Sequence, residues 1–321
     1  MSTKNLLLFL GAGFSNDAGC PLQKNFFEHV EKRFPATLSQ ESYMGITAAR
    51  HLAMSFKKFE KKPTMEDAFC VLDYVYYMKP DNYQLACNTR EGFRSSSESG
   101  LGVSRAREYF LNGLREIFNY KQIAENIYYE HDLYYHFFKE LTDKYNIAII
   151  TLNYDLVCES IFKNMPSYKL MLFPVITADF SYFGVPFLKL HGSIDWRETS
   201  FDVPNIIPPT WSKHFDRHGK YRRIWNEAEK AIFYSDKILF IGCSMPSTDQ
   251  HIHYLLQFGL ANYIDKPRNK DIYVVKPNWR CSDNINYNYL AEEKEYNVNS
   301  IIPIEKKFKE FVNSDFLTQI Q

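Results

Sequence analysis

The stretch LLLFLGAGFSNDAG, residues 6–19, constrains the fold more than any other part of the chain. Five consecutive apolar residues, Leu6 to Leu10, are typical of a strand that is buried on both faces, as in a parallel sheet. Gly11 and Gly13 follow directly, and glycine permits a tight turn and a close approach of the backbone to a ligand. Such a turn, placed before a helix N-terminus, can bind phosphate groups. The same pattern also occurs as a plain strand-to-helix connection, so the turn alone leaves both interpretations open.

Similar apolar runs of strand length recur along the chain. They are Ile147–Thr151, Phe187–Leu190, Ile238–Gly242 and Ile272–Val275. Amphipathic helical patterns accompany them. These begin at Pro21 (with Phe26, Phe27, Val30 and Phe34 at helical spacing), at Tyr221 (to Ser235) and at Glu305 (to Val312). Strands that alternate with helices predict an α/β fold, with a doubly wound, Rossmann-like parallel sheet.

One long segment lacks any convincing strand pattern, from about residue 34 to residue 145. Met65–Met78 and Ala106–Tyr120 are typical of helices, and the polar, Ser/Gly-rich stretch Glu91–Gly102 predicts a mobile loop between them. The segment has the size of a small domain. We therefore predict a sheet domain with an inserted helical subdomain. The sheet domain is residues 1–34 and 146–321, and the helical subdomain is residues 35–145.

Composition excludes several classes of protein. Lys and Arg together number 38, as do Asp and Glu, so nothing favours broad attraction to nucleic acid. The six cysteines are scattered without a C-x-x-C pair, which argues against a disulfide framework or a four-thiolate zinc site and favours free, buried thiols. No apolar run approaches the length of about 20 residues needed for a membrane span, and the first residues lack a signal-peptide pattern. We expect a cytoplasmic protein that binds neither membrane nor nucleic acid directly.

Polar clusters follow three of the predicted strands. They are TLNYD (residues 151–155), LKLHGSIDW (residues 188–196) and LFIGCSMPSTD (residues 239–249). Because the carboxyl ends of parallel strands meet at one edge of the sheet, where open α/β sheets bind ligands, these clusters predict one site.

These motifs resemble those of the sirtuins. GAGFSNDAGCP is similar to the sirtuin Gly-Ala-Gly-x-Ser turn with its Ala-Gly-x-Pro continuation, and TLNYD is similar to the Asn-x-Asp motif. LHGS resembles the catalytic-histidine motif, and GCS the Gly-Thr/Cys-Ser contact with phosphate and ribose. Their order and spacing agree over most of the chain, except for the helical insertion. NYD with LHGSIDW is closer to the zinc-less, sirtuin-like proteins of bacterial antiphage defence, such as those paired with a HerA-type ATPase, than to the protein deacetylases.

The chain departs from the deacetylases at several points. It lacks the two C-x-x-C pairs of their zinc module, Leu22 and Gln23 follow Pro21 where they carry Phe-Arg after the corresponding proline, and Leu152 replaces a glutamine. The zinc module frames the acyl-lysine cleft, so its loss argues against peptide deacylation but leaves the NAD site untouched. The resemblance thus implies NAD as the substrate and no zinc.

The resemblance also implies roles for individual residues. Asn153 and Asp155 would hold the nicotinamide ribose, its carboxamide and a water, and His191 would act as general base toward a ribose hydroxyl or the attacking water. Histidine suits that role because it titrates near neutral pH. The amides of Ala12 and Gly13, with Ser15 and Ser244, would cradle the pyrophosphate. The complete predicted set for the dinucleotide is Gly11, Ala12, Gly13, Phe14, Ser15, Gly242, Ser244 and Lys276.

Some assignments stay open at the sequence level. Lys276 follows the strand on the adenosine side and is either a solvated lysine or a residue that favours a 2′-phosphate; we prefer NAD over NADP. Asp249 either anchors its loop or meets a ribose hydroxyl, and without the resemblance it is a helix N-terminal acid. His251 and His253 are one residue apart in a predicted helix and face different directions, so they do not predict a metal site.

The function implied by the resemblance is NAD hydrolysis to nicotinamide and ADP-ribose, with water as the default acceptor. In a defence protein this activity would deplete NAD, and it must be gated because constant depletion would kill the host. We therefore expect a homo-oligomer with a separately encoded partner, such as a HerA-type ATPase or an Argonaute-like protein, and the aromatic-rich insertion as the assembly surface. Two alternatives remain: an NAD-dependent ADP-ribosyltransferase or deacylase, and a non-catalytic subunit that senses NAD or ADP-ribose.

Overall fold

A computed structural model gives the fold of most of the chain. It describes residues 3–33, 38–56, 62–78, 84–85, 101–118, 131–180, 184–198, 201–207, 219–245, 249–261, 269–279, 287, 290 and 296–320. Of the predicted mobile loop Glu91–Gly102, residues 91–100 lie outside the described residues.

The strands and helices of the described part are numbered in chain order. Strands β1 to β11 are Lys4–Leu10, Gln84–Leu85, Leu101–Gly102, Tyr145–Thr151, Leu170–Leu172, Val185–Lys189, Gly192–Glu198, Phe201–Ile206, Lys237–Ile241, Lys270–Val275 and Val298–Ile304. Helices α1 to α11 are Ala12–Ser15, Phe26–Arg33, Gln40–Phe56, Met65–Met78, Val103–Phe118, His131–Lys144, Val157–Phe162, Gly219–Tyr234, Gln250–Leu260, Phe308–Asn313 and Phe316–Gln319.

Seven of these strands form one sheet in the order β11-β10-β9-β1-β4-β6-β5. Every neighbouring pair in it runs parallel, which confirms the predicted doubly wound α/β fold. The chain builds outward from β1 to β4 and β6, then returns to the other side of β1 with β9 and β10. The direction of winding therefore reverses between β1 and β9, and open sheets of this kind bind ligands outside the carboxyl ends at such a point.

The apolar runs are continuous because both faces of the sheet are covered. Leu6, Leu8 and Leu10 belong to the hydrophobic core on one face, whereas Leu7 and Phe9 belong to the core on the other. Side chains alternate across a strand, so a strand that is buried on both sides must be apolar at every position.

The helix predictions differ in accuracy. Met65–Met78 has the predicted bounds, and the helix predicted over Tyr221–Ser235 is α8. The helix predicted to start at Pro21 starts later, since Leu22 is extended and a 3₁₀ turn, Gln23–Asn25, precedes α2. The prediction over Ala106–Tyr120 corresponds to α5, and the one over Glu305–Val312 corresponds to α10.

The predicted insertion packs against the sheet. Its helices α3, α4 and α5 contact one another, and their buried residues are continuous with the core on the face of the sheet that holds Leu6 and Leu8. Within the described residues of this segment, the two-residue strands β2 and β3 are found between the helices, where the sequence predicts no strand. The domain boundaries themselves stay a prediction.

The described cysteines are free thiols, as predicted. Cys20, Cys158 and Cys243 are buried and Cys70 is half-buried, and burial raises the pKa of all four thiols. The remaining two, Cys87 and Cys281, lie outside the described residues. Within the described part, no helix combines the length and the apolar character needed to cross a membrane.

Candidate functional site

The glycine turn after β1 packs directly on the turn after β9. The amide of Gly11 donates to the carbonyl of Ile241 at 3.0 Å, and the amide of Gly13 donates to the carbonyl of Gly242 at 3.1 Å. Gly242 has a φ of +62°, and a Cβ atom there would lie 2.4 Å from the Cα of Gly13. Larger residues cannot occupy these positions, because the two backbones meet with no space for a side chain.

This packing changes the expected role of the turn in holding phosphate. The amide of Gly13 is engaged by Gly242, and the amide of Phe14 donates to the carbonyl of Gly11 at 3.0 Å. The helix that follows has only four residues, Ala12–Ser15. The hydrogen bond from the Gly13 amide to Gly242 must therefore break before that amide can contact a pyrophosphate. The role of the Ala12 amide stays a prediction.

Phe14 contributes its ring to the core and not to the site. The side chain is fully buried, and its ring centroid lies 5.2 Å from that of Tyr134 and 4.9 Å from that of Phe308. The hydroxyl of Tyr134 also donates to the carbonyl of Phe14 at 2.8 Å. The ring of Phe14 is therefore part of the core, and the predicted contact between Phe14 and the dinucleotide stays a prediction that concerns its backbone alone.

Asn153 joins the end of β4 to the glycine turn. Its Nδ2 donates to the carbonyl of Gly11 at 2.9 Å and lies 3.1 Å from the hydroxyl oxygen of Ser15. Its own amide donates to the hydroxyl of Thr151 at 3.1 Å. Two predicted site residues, Asn153 and Ser15, are thus in direct contact although they are far apart in the sequence.

Asp155 lies beneath this contact in a buried position. Its Oδ1 accepts from the amide of Val157 at 3.0 Å, and the Ser15 hydroxyl also bonds to its carboxylate. Burial raises the pKa of this carboxyl, and the nearby ammonium of Lys189 counteracts the rise in part. A carboxylate kept in a desolvated position by a hydroxyl, an amide and a cation is a candidate for a functional group.

Lys189 is the buried cation that supports this part of the site. Its Nζ donates to the carbonyl of Asp155 at 2.6 Å and pairs with Oε1 of Glu159 at 2.8 Å. The Lys189 side chain has no exposed surface. The backbone at Asp155 is therefore fixed from the strand β6 side, although the sequence analysis assigned no role to Lys189.

His191 forms a buried pair with Asp249. Its Nε2 lies 2.8 Å from Oδ2 of Asp249, and the two side chains are only 4% and 1% exposed. The centroid of its ring lies 6.2 Å from that of Tyr154 and 6.5 Å from that of Trp225. Gly192, with a φ of +81°, makes the turn from β6 into β7 that places the histidine at the sheet edge.

A cleft opens at this edge of the sheet beside the polar strand ends. Its lining combines the turn after β1, the end of β4 and two helices of the predicted insertion. The lining residues are Ala12, Cys20, Pro21, Gln23, Met65, Phe118, Leu152, Asn153, Tyr154 and Asp155. Gln23 donates a hydrogen bond to Glu66, the neighbour of Met65. The cleft therefore offers mainly apolar walls with an amide and a carboxylate on one side.

The remaining predicted residues also lie along this edge. Ser244 is exposed two residues after Gly242, and Lys276 is half-buried directly after β10, with its amide donating to the carbonyl of Ile304 at 3.2 Å. Among the described residues, no group of three or more His, Cys, Asp or Glu side chains could hold a metal ion. The expected absence of zinc stays a prediction.

The segment that holds most of these residues has a recognisable family pattern. Residues 147–301 match the SIR2-like domain. This SIR2-like segment contains Asn153, Asp155, His191 and Asp249, whereas the glycine turn precedes it. A SIR2-like domain implies NAD-related chemistry, in agreement with the sirtuin-like interpretation of the motifs.

Several solved sirtuin structures resemble the chain distantly. A Sir2 homologue mutant in complex with 2′-O-acetyl ADP ribose is 12% identical, covers 99% of this chain and 92% of its own, and has a TM-score of 0.42. A Sir2 structure with an inhibitor, 2′-O-acetyl-ADP-ribose and a deacetylated peptide is 10% identical, covers 99% of this chain and 95% of its own, and has a TM-score of 0.38. The fold is assigned from the parallel strand pairings of the sheet and not from these similarities. A comparison of the sequence with curated proteins finds no match.

Proposed function

We propose that this protein is an NAD glycohydrolase, which cleaves the bond between nicotinamide and ribose to give nicotinamide and ADP-ribose. One observation carries the proposal: Asn153, Asp155 and the His191–Asp249 pair stand at neighbouring strand ends within the SIR2-like segment. These are buried or half-buried polar groups at the carboxyl edge, beside the point where the winding of the sheet reverses.

The lining of the cleft has the chemistry that a flat, amide-bearing ring such as nicotinamide needs. Leu152, Met65 and Phe118 supply apolar walls, and Asn153 supplies an amide that can pair with the carboxamide. To bind the substrate in this way, Asn153 would exchange part of its bonding to Gly11 and Ser15. The ribose then extends along the sheet edge toward His191 and the turn at Gly242.

The chemistry needs a stabilised cation-like sugar and one activated water. Cleavage of a glycosidic bond passes through a positively charged sugar, and a carboxylate in a water-poor site stabilises such a charge. Asp155 is such a carboxylate, since it is buried and lines the cleft. His191 takes one proton from the attacking water as the water oxygen bonds to the ribose carbon, while nicotinamide leaves with the electron pair of the broken bond.

The position of the helical insertion supports water as the acceptor. Met65 of α4 and Phe118 of α5 line the cleft, so two helices of the predicted insertion form part of its wall. Water needs less room beside this wall than a protein acceptor or an acyl group.

We further propose, from the motif resemblance, that the activity serves antiphage defence and is gated by assembly, with a HerA-type ATPase or an Argonaute-like protein as partner. Tyr74, Tyr77 and Met78 at the end of α4 are exposed, and they support the insertion as a surface between copies of the chain. Light scattering of the purified chain, with and without substitution of these three residues by serine, tests the assembly.

Hydrolysis in labelled water tests the reaction itself. The full chain is incubated with NAD in H₂¹⁸O, with no acceptor protein, and the products are analysed by mass spectrometry. The proposal predicts free nicotinamide and ADP-ribose with one ¹⁸O atom. In a second incubation with an added protein, ADP-ribose that appears only on that protein supports a transferase. NAD binding by calorimetry without turnover, both alone and in the assembled state, supports the sensing subunit.

A further inference from the structure

The geometry points to Asp249 as a positioning residue for the proposed NAD cleavage. We infer that its carboxylate holds one ring nitrogen of His191 in the protonated form, fixes the ring plane, and stabilises the positive charge that His191 acquires. This inference rests on the proposed function, but its structural part can be measured without any turnover.

The first observation is the orientation of the Asp249 side chain. Asp249 occupies the N-cap position of α9, where an aspartate side chain ordinarily accepts a hydrogen bond from the helix, a contact of about 1 kcal/mol. In this chain the side chain makes no such bond, and the amide of Ile252 reaches the backbone carbonyl of Asp249 at 3.2 Å. The carboxylate contacts His191 and makes no capping bond to the amides of its own helix.

The second observation is the complete burial of the pair. A buried carboxylate needs a partner, because desolvation of an unpaired charge is strongly unfavourable. His191 is a partner at 2.8 Å, and the rings of Tyr154 and Trp225 are close to the imidazole. Trp225 is itself anchored by a hydrogen bond from Nε1 to the carbonyl of Leu190 at 3.1 Å. The carboxylate and these neighbouring rings therefore restrict the orientation of the histidine.

The chemical consequence concerns the two ring nitrogens. A neutral His191 donates its Nε2 hydrogen to Asp249, so Nδ1 carries the lone pair. In hydrolysis, an O–H bond of water breaks, an N–H bond forms at Nδ1, and the resulting imidazolium faces the Asp249 carboxylate. The carboxylate stays ionised, as it does in serine hydrolase triads, and the extra proton leaves later to solvent.

An isosteric substitution tests this role. Asp249→Asn keeps the size of the side chain but removes its charge, and its amide can donate to the ring and favour the other tautomer. We expect kcat for NAD to fall about 10²- to 10⁴-fold, with KM changed less than about threefold because Asp249 does not bind the substrate. Asp143→Asn, at an exposed ion pair with Lys139 on α6, is the matched control and should change neither constant.

Nitrogen NMR of the histidine ring measures the tautomer of His191, which Asp249→Asn would leave unchanged if Asp249 had only a structural role. In ¹⁵N-histidine-labelled protein, the His191 signals are assigned by their loss in His191→Gln. The inference predicts the Nε2–H tautomer in the unsubstituted chain and a mixed or inverted tautomer in Asp249→Asn. The Nδ1–H tautomer in the unsubstituted chain would overturn it, even if Asp249→Asn failed to fold.

The kinetic results separate the competing roles of Asp249. A large rise in KM with kcat retained would overturn the inference and make Asp249 a ribose contact. A lower melting temperature with unchanged kcat, KM and tautomer would also overturn it and leave a structural link between β6 and α9. If the unsubstituted chain does not cleave NAD under any condition, the proposed function fails, while the tautomer measurement still decides whether Asp249 orients His191.

Discussion

The glycine turn after β1 and the polar end of β4 lie side by side, yet their residues have different reasons to be there. Gly11 and Gly13 are required by the close approach of the turn at Gly242, where a Cβ atom would overlap backbone. Asn153 and Asp155 make hydrogen bonds, to Gly11 and to the amide of Val157, but no backbone overlap dictates their residue types. Burial raises the pKa of Asp155 against the pull of Lys189, so burial disfavours its ionised form.

This difference shows which part of a familiar motif reports structure and which reports chemistry. Glycines at the turn are explained by contact between two backbones, and the amides of both Gly11 and Gly13 donate hydrogen bonds within that contact. Buried polar groups gathered at strand ends are better evidence of a functional site than glycines that backbone packing explains. The case for NAD cleavage therefore depends on Asn153, Asp155 and His191 more than on the glycine turn.

The largest expected effect is on activity at the polar end. Asn153→Ala removes the amide that faces the cleft, and loss of one such polar contact in a transition state lowers rates about 10²- to 10³-fold. We expect nicotinamide release to fall by that factor, with a melting temperature within a few degrees of the original. Asn313→Ala, on the exposed end of α10, should leave the rate unchanged. Equal rates in the two variants would remove Asn153 from the site.

A large loss of stability is expected at the glycine turn. Gly242→Ala combines a left-handed backbone with a Cβ atom only 2.4 Å from the Cα of Gly13, and we expect a loss of about 2–4 kcal/mol in the free energy of unfolding. Urea denaturation followed by circular dichroism measures it. Gly219→Ala is the control, because its Cβ would meet nothing within 4 Å, and this variant should be as stable as the original or slightly more so.

A smaller loss of stability is expected beneath the polar end. Glu159→Gln removes the counter-charge of the buried Lys189 but keeps an acceptor at the same place. We expect about 1–3 kcal/mol of destabilisation by urea denaturation, as for other buried charged hydrogen bonds. Glu140→Gln, on the surface of α6, should change the free energy of unfolding by less than about 0.5 kcal/mol. An unchanged free energy of unfolding in Glu159→Gln would show that Lys189 needs no ionised partner.

The smallest effect is a pH dependence at Asp155. A carboxyl whose pKa is raised by folding contributes most to stability at low pH, and this contribution is lost as the pH rises through the folded pKa. Asp155→Asn abolishes the titration. The free energy of unfolding of the variant, relative to that of the original chain, should therefore increase as the pH rises from about 4 to 8. A difference that is constant or decreases with pH would contradict the raised pKa.

The sequence predicts the central strands well because burial on both faces makes them continuously apolar. It misses the edge strand β11, which is half-exposed and contains Pro303, and β5, which has three residues. It also misses α3, where Gly45 lowers helix propensity. The structure explains that glycine, since a Cβ there would lie 2.3 Å from the amide nitrogen of Phe110.

The candidate site could be predicted only in part for a similar reason. Strand ends identify Asn153, Asp155 and His191 because parallel topology brings them to one edge. The pairing of His191 with Asp249 joins the end of β6 to the start of α9, and residue spacing does not encode it. The packing of Gly13 on Gly242 is equally hidden, since a residue without a side chain leaves no pattern to read.

Nicotinamide release from NAD by His191→Ala and His136→Ala, each compared with the original chain, tests the central claim most directly. His136 is an exposed histidine on α6, whereas His191 is buried. The account predicts a fall of about 10²-fold or more for His191→Ala, no change for His136→Ala, and folded protein in both. Equal release by all three proteins would contradict the claim that the polar strand ends cleave NAD.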